Sequence, residues 1–122
     1  MAIRHILQIG HPVLRKTATP LTRDELLSST TQAFIDDLIE TMRHANGAGL
    51  AAIQVGELCR ICVIEVRADN PRYPEKEPIA LTVLVNPVLT PLSSETIESY
   101  EGCLSVPNIR GKVERHAHLR VD

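Results

Sequence analysis

Cys103 is the residue of this chain whose type and setting most suggest chemistry, and it lies in the run Glu-Gly-Cys-Leu-Ser at residues 101–105. A thiolate is a good soft ligand for iron or zinc, but a hydrolytic metal site needs about three protein ligands and an open position for water. Two interpretations of this run stay open. Cys103 is either a buried structural cysteine or a metal ligand, with the adjacent backbone amide of Leu104 aimed at a substrate oxygen.

A second run, Gly-Ala-Gly-Leu-Ala-Ala-Ile-Gln at residues 47–54, joins small residues to a carboxamide. Small residues let the backbone approach a substrate strand or a metal centre closely, although a glycine-rich helix end packed on a sheet explains them equally well. Gln54 stands just beyond them. Its side chain is placed to donate a hydrogen bond to a developing oxyanion.

Together, the two runs resemble the first and second signature motifs of peptide deformylases. Their order matches the family, and so does the strand region between them. The Ile-Gly-His-Pro-Val-Leu-Arg run at residues 9–15 is similar to the family's N-terminal arm, and Val-Pro at residues 106–107 and Arg110 continue the second motif as expected. The resemblance covers essentially the whole chain.

The resemblance implies a metal-dependent hydrolase that removes the formyl group from the N-terminal formyl-methionine of nascent polypeptides. Cys103 would ligate Fe²⁺, or a substituting Zn²⁺, Ni²⁺ or Co²⁺. Gln54 and the amide of Leu104 would form the oxyanion hole, and Glu101 would orient groups beside the metal.

The implied partners are N-formylmethionyl peptides. A short stretch of backbone and one positively charged side chain would contact them. Gly47, Ala48 and Gly49 would contact substrate, with Gly49 pairing with its backbone in an antiparallel arrangement. Ala48 and Arg110 would lie near the pocket for the methionine side chain.

The chain departs from the family in one respect: residues 1–122 contain no H-E-x-x-H motif, which in the family supplies two histidine ligands and the general acid. We therefore expect a partial deformylase-like domain that lacks the central metal-binding helix, is inactive alone, and is open to a complementing C-terminal segment. A fragment, a degraded gene product and a split protein all fit this expectation. The alternative function is a noncatalytic remnant that binds N-terminal peptide segments.

Two other groups of residues are candidates for a metal or redox site. His116 and His118 fall on one face of a predicted strand, but Glu114 and Arg120 share that face and mark it as solvated. The Cys-Arg-Ile-Cys run at residues 59–62 is a poor candidate, because residues three apart in a strand point to opposite faces.

Composition limits the remaining classes of protein. A chain of 122 residues with a net charge of -2 fits one ordinary globular domain without a basic surface for nucleic acid. No apolar stretch reaches the length of a membrane span, and residues 1–10 lack the charged, apolar and small-residue order that is typical of a secretory signal. Three cysteines cannot all pair within one chain, so we expect reduced thiols and a cytoplasmic protein.

The sequence predicts that an α+β fold, with small antiparallel or mixed sheets packed on a helix, positions these residues. A capping box at Thr22 and Glu25 predicts a helix that continues to a stop at Asn46-Gly47. β-branched runs at residues 60–66 and 81–85 predict strands joined by a surface loop at residues 68–78, with strand and hairpin material at residues 89–100. Strict alternation predicts one half-buried strand over residues 113–121.

Overall fold

The computed structural model describes residues 2–122, which form two α-helices, two short 3-10 helices and seven strands. The helices are α1 (Arg23–Leu27) and α2 (Ser29–His44), and the 3-10 helices are Pro12–Arg15 and Ala52–Val55. The strands are β1 (Gly49–Ala51), β2 (Ile61–Val66), β3 (Ile79–Val85), β4 (Leu89–Pro91), β5 (Thr96–Cys103), β6 (Val106–His116) and β7 (Leu119–Val121).

The predicted long helix begins where expected but is broken once. Thr22 and Glu25 form the predicted capping box, since the Thr22 hydroxyl accepts from the Glu25 N–H and the Glu25 carboxylate accepts from the Thr22 N–H. Ser28 then adopts an extended conformation, and its hydroxyl accepts from the N–H of Thr31. Because that bond satisfies an early amide of a new helix, the chain restarts as α2.

The end of α2 lies at the predicted stop. Asn46 has a φ of 54°, the left-handed conformation that commonly ends helices. The Gly47 N–H donates to the carbonyl of Met42 at 2.9 Å, and the Asn46 N–H donates to that of Arg43 at 3.0 Å. This pair of bonds is a Schellman motif, and it directs the chain from the helix into β1.

The core lies between α2 and an antiparallel sheet with the strand order β1-β2-β3. Leu38 and Met42 of α2 pack without exposure against Val63 of β2. The two predicted central strands are therefore confirmed, with β3 beginning two residues earlier than the sequence indicated. Leu81 and Val83 of β3, in contrast, remain 39% and 38% exposed.

Two antiparallel pairs, β5-β6 and β4-β7, complete the α+β architecture that the sequence predicted. The prediction of one strand over residues 113–121 is wrong. Residues 113–116 end β6, the chain bends at Ala117 and His118, and β7 pairs with β4 instead. The Ala117 N–H donates to the carbonyl of Glu95 at 2.9 Å, which turns the chain away from the β5-β6 ribbon.

Candidate active site

Gln54 is held in one orientation just after β1. Its Oε1 atom accepts a hydrogen bond from the N–H of Ala51 at 3.0 Å. Because that bond occupies the carbonyl side of the carboxamide, the amino side is directed at the β5-β6 turn. Nε2 donates to Oγ of Ser105 at 3.0 Å and to Sγ of Cys103 at 3.6 Å. The structure thus brings together the two runs that the sequence analysis singled out.

Cys103 lies at the end of β5, where the ribbon turns into β6. The register of the ribbon shifts between Gly102 and Cys103, and such an irregularity re-aims a side chain. The Cys103 thiol is free and exposed. The interpretation of a buried structural cysteine is therefore wrong.

Ser105 is a site residue to which the sequence analysis gave no role. It is 4% exposed, and its hydroxyl accepts the hydrogen bond that fixes the amide of Gln54. A buried hydroxyl needs a hydrogen-bond partner, and for Ser105 that partner is the side-chain amide of Gln54. The only sequence signal was a small polar residue two positions after the cysteine.

The extended segment at residues 2–9 holds the two runs against each other. The Leu7 N–H donates to the Gln54 carbonyl at 2.7 Å, and the Ile9 N–H donates to the Ser105 carbonyl at 2.8 Å. The side chain of Gln8 donates to the Leu104 carbonyl at 3.3 Å. Among residues 2–122, no hydrogen bond uses the Leu104 N–H, so this donor remains available beside Cys103.

The predicted substrate-contacting residues occupy distinct positions on one side of the site. Gly47 is buried, and a Cβ added there would lie 2.6 Å from Cδ1 of Leu104, so the glycine makes room for that side chain. The Ala48 carbonyl accepts from the N–H of Glu65. Since backbone groups alternate along a strand, those of Gly49 point away from β2. β1 has no second neighbour among the described strands, so Gly49 faces a free sheet edge.

These residues line a cavity of about 250 Å³ that also includes two residues the sequence analysis placed on a plain surface loop. Gly49, Gln54, Cys103 and Leu104 share this cavity with Arg72 and Tyr73. The available signal was the length of the β2–β3 connection, because long loops inside a compact domain commonly carry binding residues.

Arg110 lies on β6 and lines a second cavity of about 680 Å³, which shares Cys103, Leu104 and Arg72 with the first. Ala48 lines the first cavity but not the second. The two residues that the resemblance assigned to one methionine pocket therefore lie in neighbouring cavities.

Glu101 forms an ion pair with Arg115, whose guanidinium donates to the carboxylate at 2.8 and 3.0 Å. These hydrogen bonds hold the pKa of Glu101 below its usual value of 4.5. The Glu101 carboxylate is therefore ionised, and Arg115 on the neighbouring strand of the ribbon holds it in place. Its orienting role beside a metal stays a prediction.

The described residues do not by themselves fit a catalytic metal. Cys103 offers one soft donor atom, and the polar atom beside it, Nε2 of Gln54, is a hydrogen-bond donor and cannot ligate a metal. Within residues 2–122, no three His, Cys, Asp or Glu side chains lie close enough together to hold an ion. A hydrolytic centre here needs further donors from outside these residues.

The histidine pair and the cysteine pair, which the sequence placed on one strand each, are arranged differently in the structure. His116 ends β6, whereas His118 lies in the following bend, 3.8 Å from the carboxylate of Glu95. Cys59 precedes β2 and lines the same apolar cavity of about 210 Å³ as Cys62, so the argument from opposite faces is wrong. Burial raises the pKa of both thiols, which makes them poor thiolates.

Comparison with known proteins identifies the family to which this fold and site correspond. Residues 3–122 match the family model of polypeptide deformylase. The chain is 44% identical over 121 residues to the peptide deformylase of Leptospira biflexa, covering 99% of this chain and 68% of the relative. It is 45% identical over 117 residues to peptide deformylase 2 of Pseudomonas putida, covering 96% and 65%.

Solved structures agree with the sequence comparison. A class I type b peptide deformylase from Acinetobacter baumannii bound to Met-Ala-Ser superposes with a TM-score of 0.91 at 37% identity, covering 98% of this chain and 75% of that one. The enzyme from Thermotoga maritima superposes with a TM-score of 0.80 at 35% identity, covering 99% and 73%. The chain belongs to the polypeptide deformylase family.

Peptide deformylases are metal-dependent hydrolases that act on formylated peptides, so the class predicted from the two sequence runs is confirmed. The chain spans about two thirds of the length of the curated relatives named here. Among residues 2–122, no helix is both long and apolar enough to cross a lipid bilayer.

Proposed function

We propose that this chain forms the substrate-binding and oxyanion-stabilising part of a peptide deformylase site, which removes the formyl group from N-formylmethionyl peptides in the cytoplasm. The observation that carries the proposal is the 3.6 Å contact between Nε2 of Gln54 and Sγ of Cys103. It joins two segments 49 residues apart in the chain. The segment of Gln54 offers a hydrogen-bond donor, and the segment of Cys103 offers a soft metal ligand. Both lie at a cavity that is open to solvent.

The free edge of β1 supports an extended peptide as the ligand. Gly49 presents its backbone N–H and carbonyl outward, and a substrate strand that pairs there gains main-chain hydrogen bonds without regard to its side chains. A nascent polypeptide has no fixed sequence after its first residue, so recognition through the main chain suits this substrate. The formyl end would then lie at the Gln54 end of the cavity.

Two donors would stabilise the oxyanion that develops when the formyl carbon is attacked. Nε2 of Gln54 is already directed at the site, and the Leu104 N–H has no competing partner among the described residues. Donors that are fixed before the reaction need no reorganisation as charge develops, which is why such pairs contribute strongly to catalysis.

Cys103 would supply one ligand to Fe²⁺, or to Zn²⁺, Ni²⁺ or Co²⁺ in its place. The remaining donors would come from a complementing segment outside residues 1–122, which would complete one domain. The exposed core-side residues Leu81 and Val83 support this view, because they are apolar surface that a further element could cover. Glu101 would orient the groups beside the ion.

A binding measurement tests the substrate half of the proposal on the 122-residue chain. Formyl-Met-Ala-Ser should bind measurably more tightly than Met-Ala-Ser by calorimetry, and Gln54→Leu should weaken that preference. Gln32→Leu is the matched control, because Gln32 is exposed on α2, donates to the Leu26 carbonyl and lines neither cavity that contains Cys103. Equal binding of the two peptides contradicts the proposal.

Metal analysis separates this function from the alternative of a noncatalytic peptide-binding remnant, which the names of the matched relatives do not favour. The 122-residue chain should retain little Fe²⁺ or Zn²⁺ and release no formate. With a complementing segment that supplies imidazoles, it should hold about one ion per chain, lost in Cys103→Ala. Turnover should then fall on the order of a hundredfold in Gln54→Leu, the usual scale for one oxyanion donor. Full metal binding by Cys103→Ala refutes the assignment of the ligand.

A further inference from the structure

The β2–β3 connection is a built structure at the point where it meets the cavity. Asn70 is 8% exposed, and its Oδ1 atom accepts from the N–H of Arg72 at 2.9 Å. Its backbone carbonyl accepts from the N–H of Tyr73 at 3.1 Å. A buried side chain that satisfies the loop's own amides fixes the directions in which Arg72 and Tyr73 leave the backbone.

Arg72 is also tied to the β5-β6 ribbon. Nη2 of Arg110 donates to the Arg72 carbonyl at 3.1 Å, and both guanidinium groups lie within 6 Å of the Tyr73 ring, at 5.9 and 5.6 Å from its centroid. A Cβ added at Gly102 would lie 3.2 Å from Nη2 of Arg72. Gly102 therefore leaves room for the guanidinium of Arg72. This group lies beside the residue that precedes Cys103 in the chain.

Neither guanidinium group forms an ion pair with a carboxylate of residues 2–122. Arg43 and Arg115 show the contrasting arrangement, since each is paired with a glutamate at 2.8 Å. For Arg72 and Arg110, no acidic group among the described residues lies within 4.0 Å. Arg72 lines both cavities that contain Cys103, and Arg110 lines the larger of the two.

We propose that Arg72, supported by Arg110, is a specificity-determining residue that binds a carboxylate on the peptide shortly after the formyl-methionine. This inference rests on the proposed function and names a preference within it. The carboxylate is either an acidic side chain at the second or third residue or the free C-terminus of a short peptide. An extended peptide advances about 3.3 Å per residue, so a tripeptide spans about 10 Å from the formyl end. A guanidinium is the group best shaped to receive a carboxylate.

Four peptides distinguish the two sources of the carboxylate. The first pair, formyl-Met-Ala-Glu-amide and formyl-Met-Ala-Gln-amide, differs only in a side-chain charge. The second pair, formyl-Met-Ala-Ala and its amide, differs only at the C-terminus. In each pair we expect the carboxylate to tighten binding to the 122-residue chain about fivefold at low salt, the upper range for partly exposed ion pairs. Most of that gain should disappear at high salt.

Arg72→Gln should abolish the preference for the charged peptides, and Arg72→Lys should retain part of it. Arg67→Gln is the matched control, because Arg67 lies in the same loop, pairs with Asp69 at 3.5 Å and lines neither cavity with Cys103. Its removal should leave the preference unchanged. If Arg72→Gln fails to fold, the Arg72→Lys chain and the salt dependence of the natural chain decide the matter.

Each outcome has a defined consequence. A preference in only one pair identifies the source as the side chain or the C-terminus. Equal affinity for charged and neutral peptides in both pairs overturns the role of Arg72, as does a preference that survives Arg72→Gln. Failure of the proposed function gives a different result, because formyl and unformylated peptides then bind alike whatever charge they carry.

Discussion

Replacing Gly47 by alanine tests how the two runs of the site pack on each other. The added Cβ would lie 2.6 Å from Cδ1 of Leu104 and 3.5 Å from Cγ of Met42. Carbon atoms in contact normally lie about 3.5–4.0 Å apart, so only the Leu104 methyl must move, by about 1 Å. The Gly47→Ala chain should therefore remain folded with Leu104 displaced.

The cost of this substitution follows from two opposing effects. Overpacking of a well-packed site costs about 1–3 kcal/mol, and a flexible methyl group places the cost at the lower end. Gly47 has no positive φ, so alanine also gains about 0.4–1 kcal/mol through the unfolded chain. A cost of about 1 kcal/mol set against this gain leaves a net loss of at most about 0.6 kcal/mol in the free energy of unfolding, measured by urea denaturation.

Gly49→Ala is the control, because its added Cβ would make only an ordinary contact of 3.6 Å with the carbonyl of Val63. That chain should be as stable as the natural one or slightly more stable. A double-mutant cycle with Leu104→Ala then isolates the contact, since this change removes the atoms in conflict. If Gly47→Ala costs as much in the Leu104→Ala background as in the natural chain, the reasoning is wrong.

Three further predictions concern the supports of the site. Glu65→Gln should lower the free energy of unfolding by about 1–2 kcal/mol at pH 7, since the carboxylate, whose side chain is only 11% exposed, accepts two bonds from Arg43. Those bonds lower the pKa of Glu65 from 4.5, so the loss should shrink as urea midpoints are measured below pH 4.5; a constant loss contradicts the ion pair. Asn86→Gly preserves the φ of 50° but removes two bonds to the backbone of Leu21, so thermal unfolding should show a loss of about 1–2 kcal/mol. Ser28→Ala removes the N-cap of α2 and should cost about 1 kcal/mol in chemical denaturation, whereas an unchanged midpoint means that the cap is dispensable.

Local signals in the sequence were sufficient to predict the helix boundaries where a single residue type determines the backbone conformation. The capping box at Thr22 and the left-handed Asn46 bracket the helical region as predicted. The break at Ser28 was missed because a serine within an apolar stripe reads as a tolerated helix residue. Only the bond from its hydroxyl to the Thr31 amide shows that it begins a new helix.

Longer-range arrangements were predictable only where they left a pattern. The two runs led directly to the contact between Gln54 and Cys103. The contribution of Arg72 left no such pattern, because it depends on Asn70 and on the space at Gly102, which lie in different segments. The bend at residues 117–118 was missed for a similar reason: alternation describes two short strands as well as one long strand, and the pairing with β4 decides between them.

The contacts that shape the peptide-binding side of the site do not depend on a metal. The bonds from Leu7 to Gln54, from Ile9 to Ser105 and from Gln54 to Ser105 all lie within the described residues and involve no metal ligand. Only Cys103 belongs to both parts, and its contact with Gln54 at 3.6 Å is the longest of this set. Loss of the thiol should therefore leave the direction of the Gln54 amide unchanged. Peptide binding and metal binding are then separable properties of this chain, so each can be measured while the other is absent.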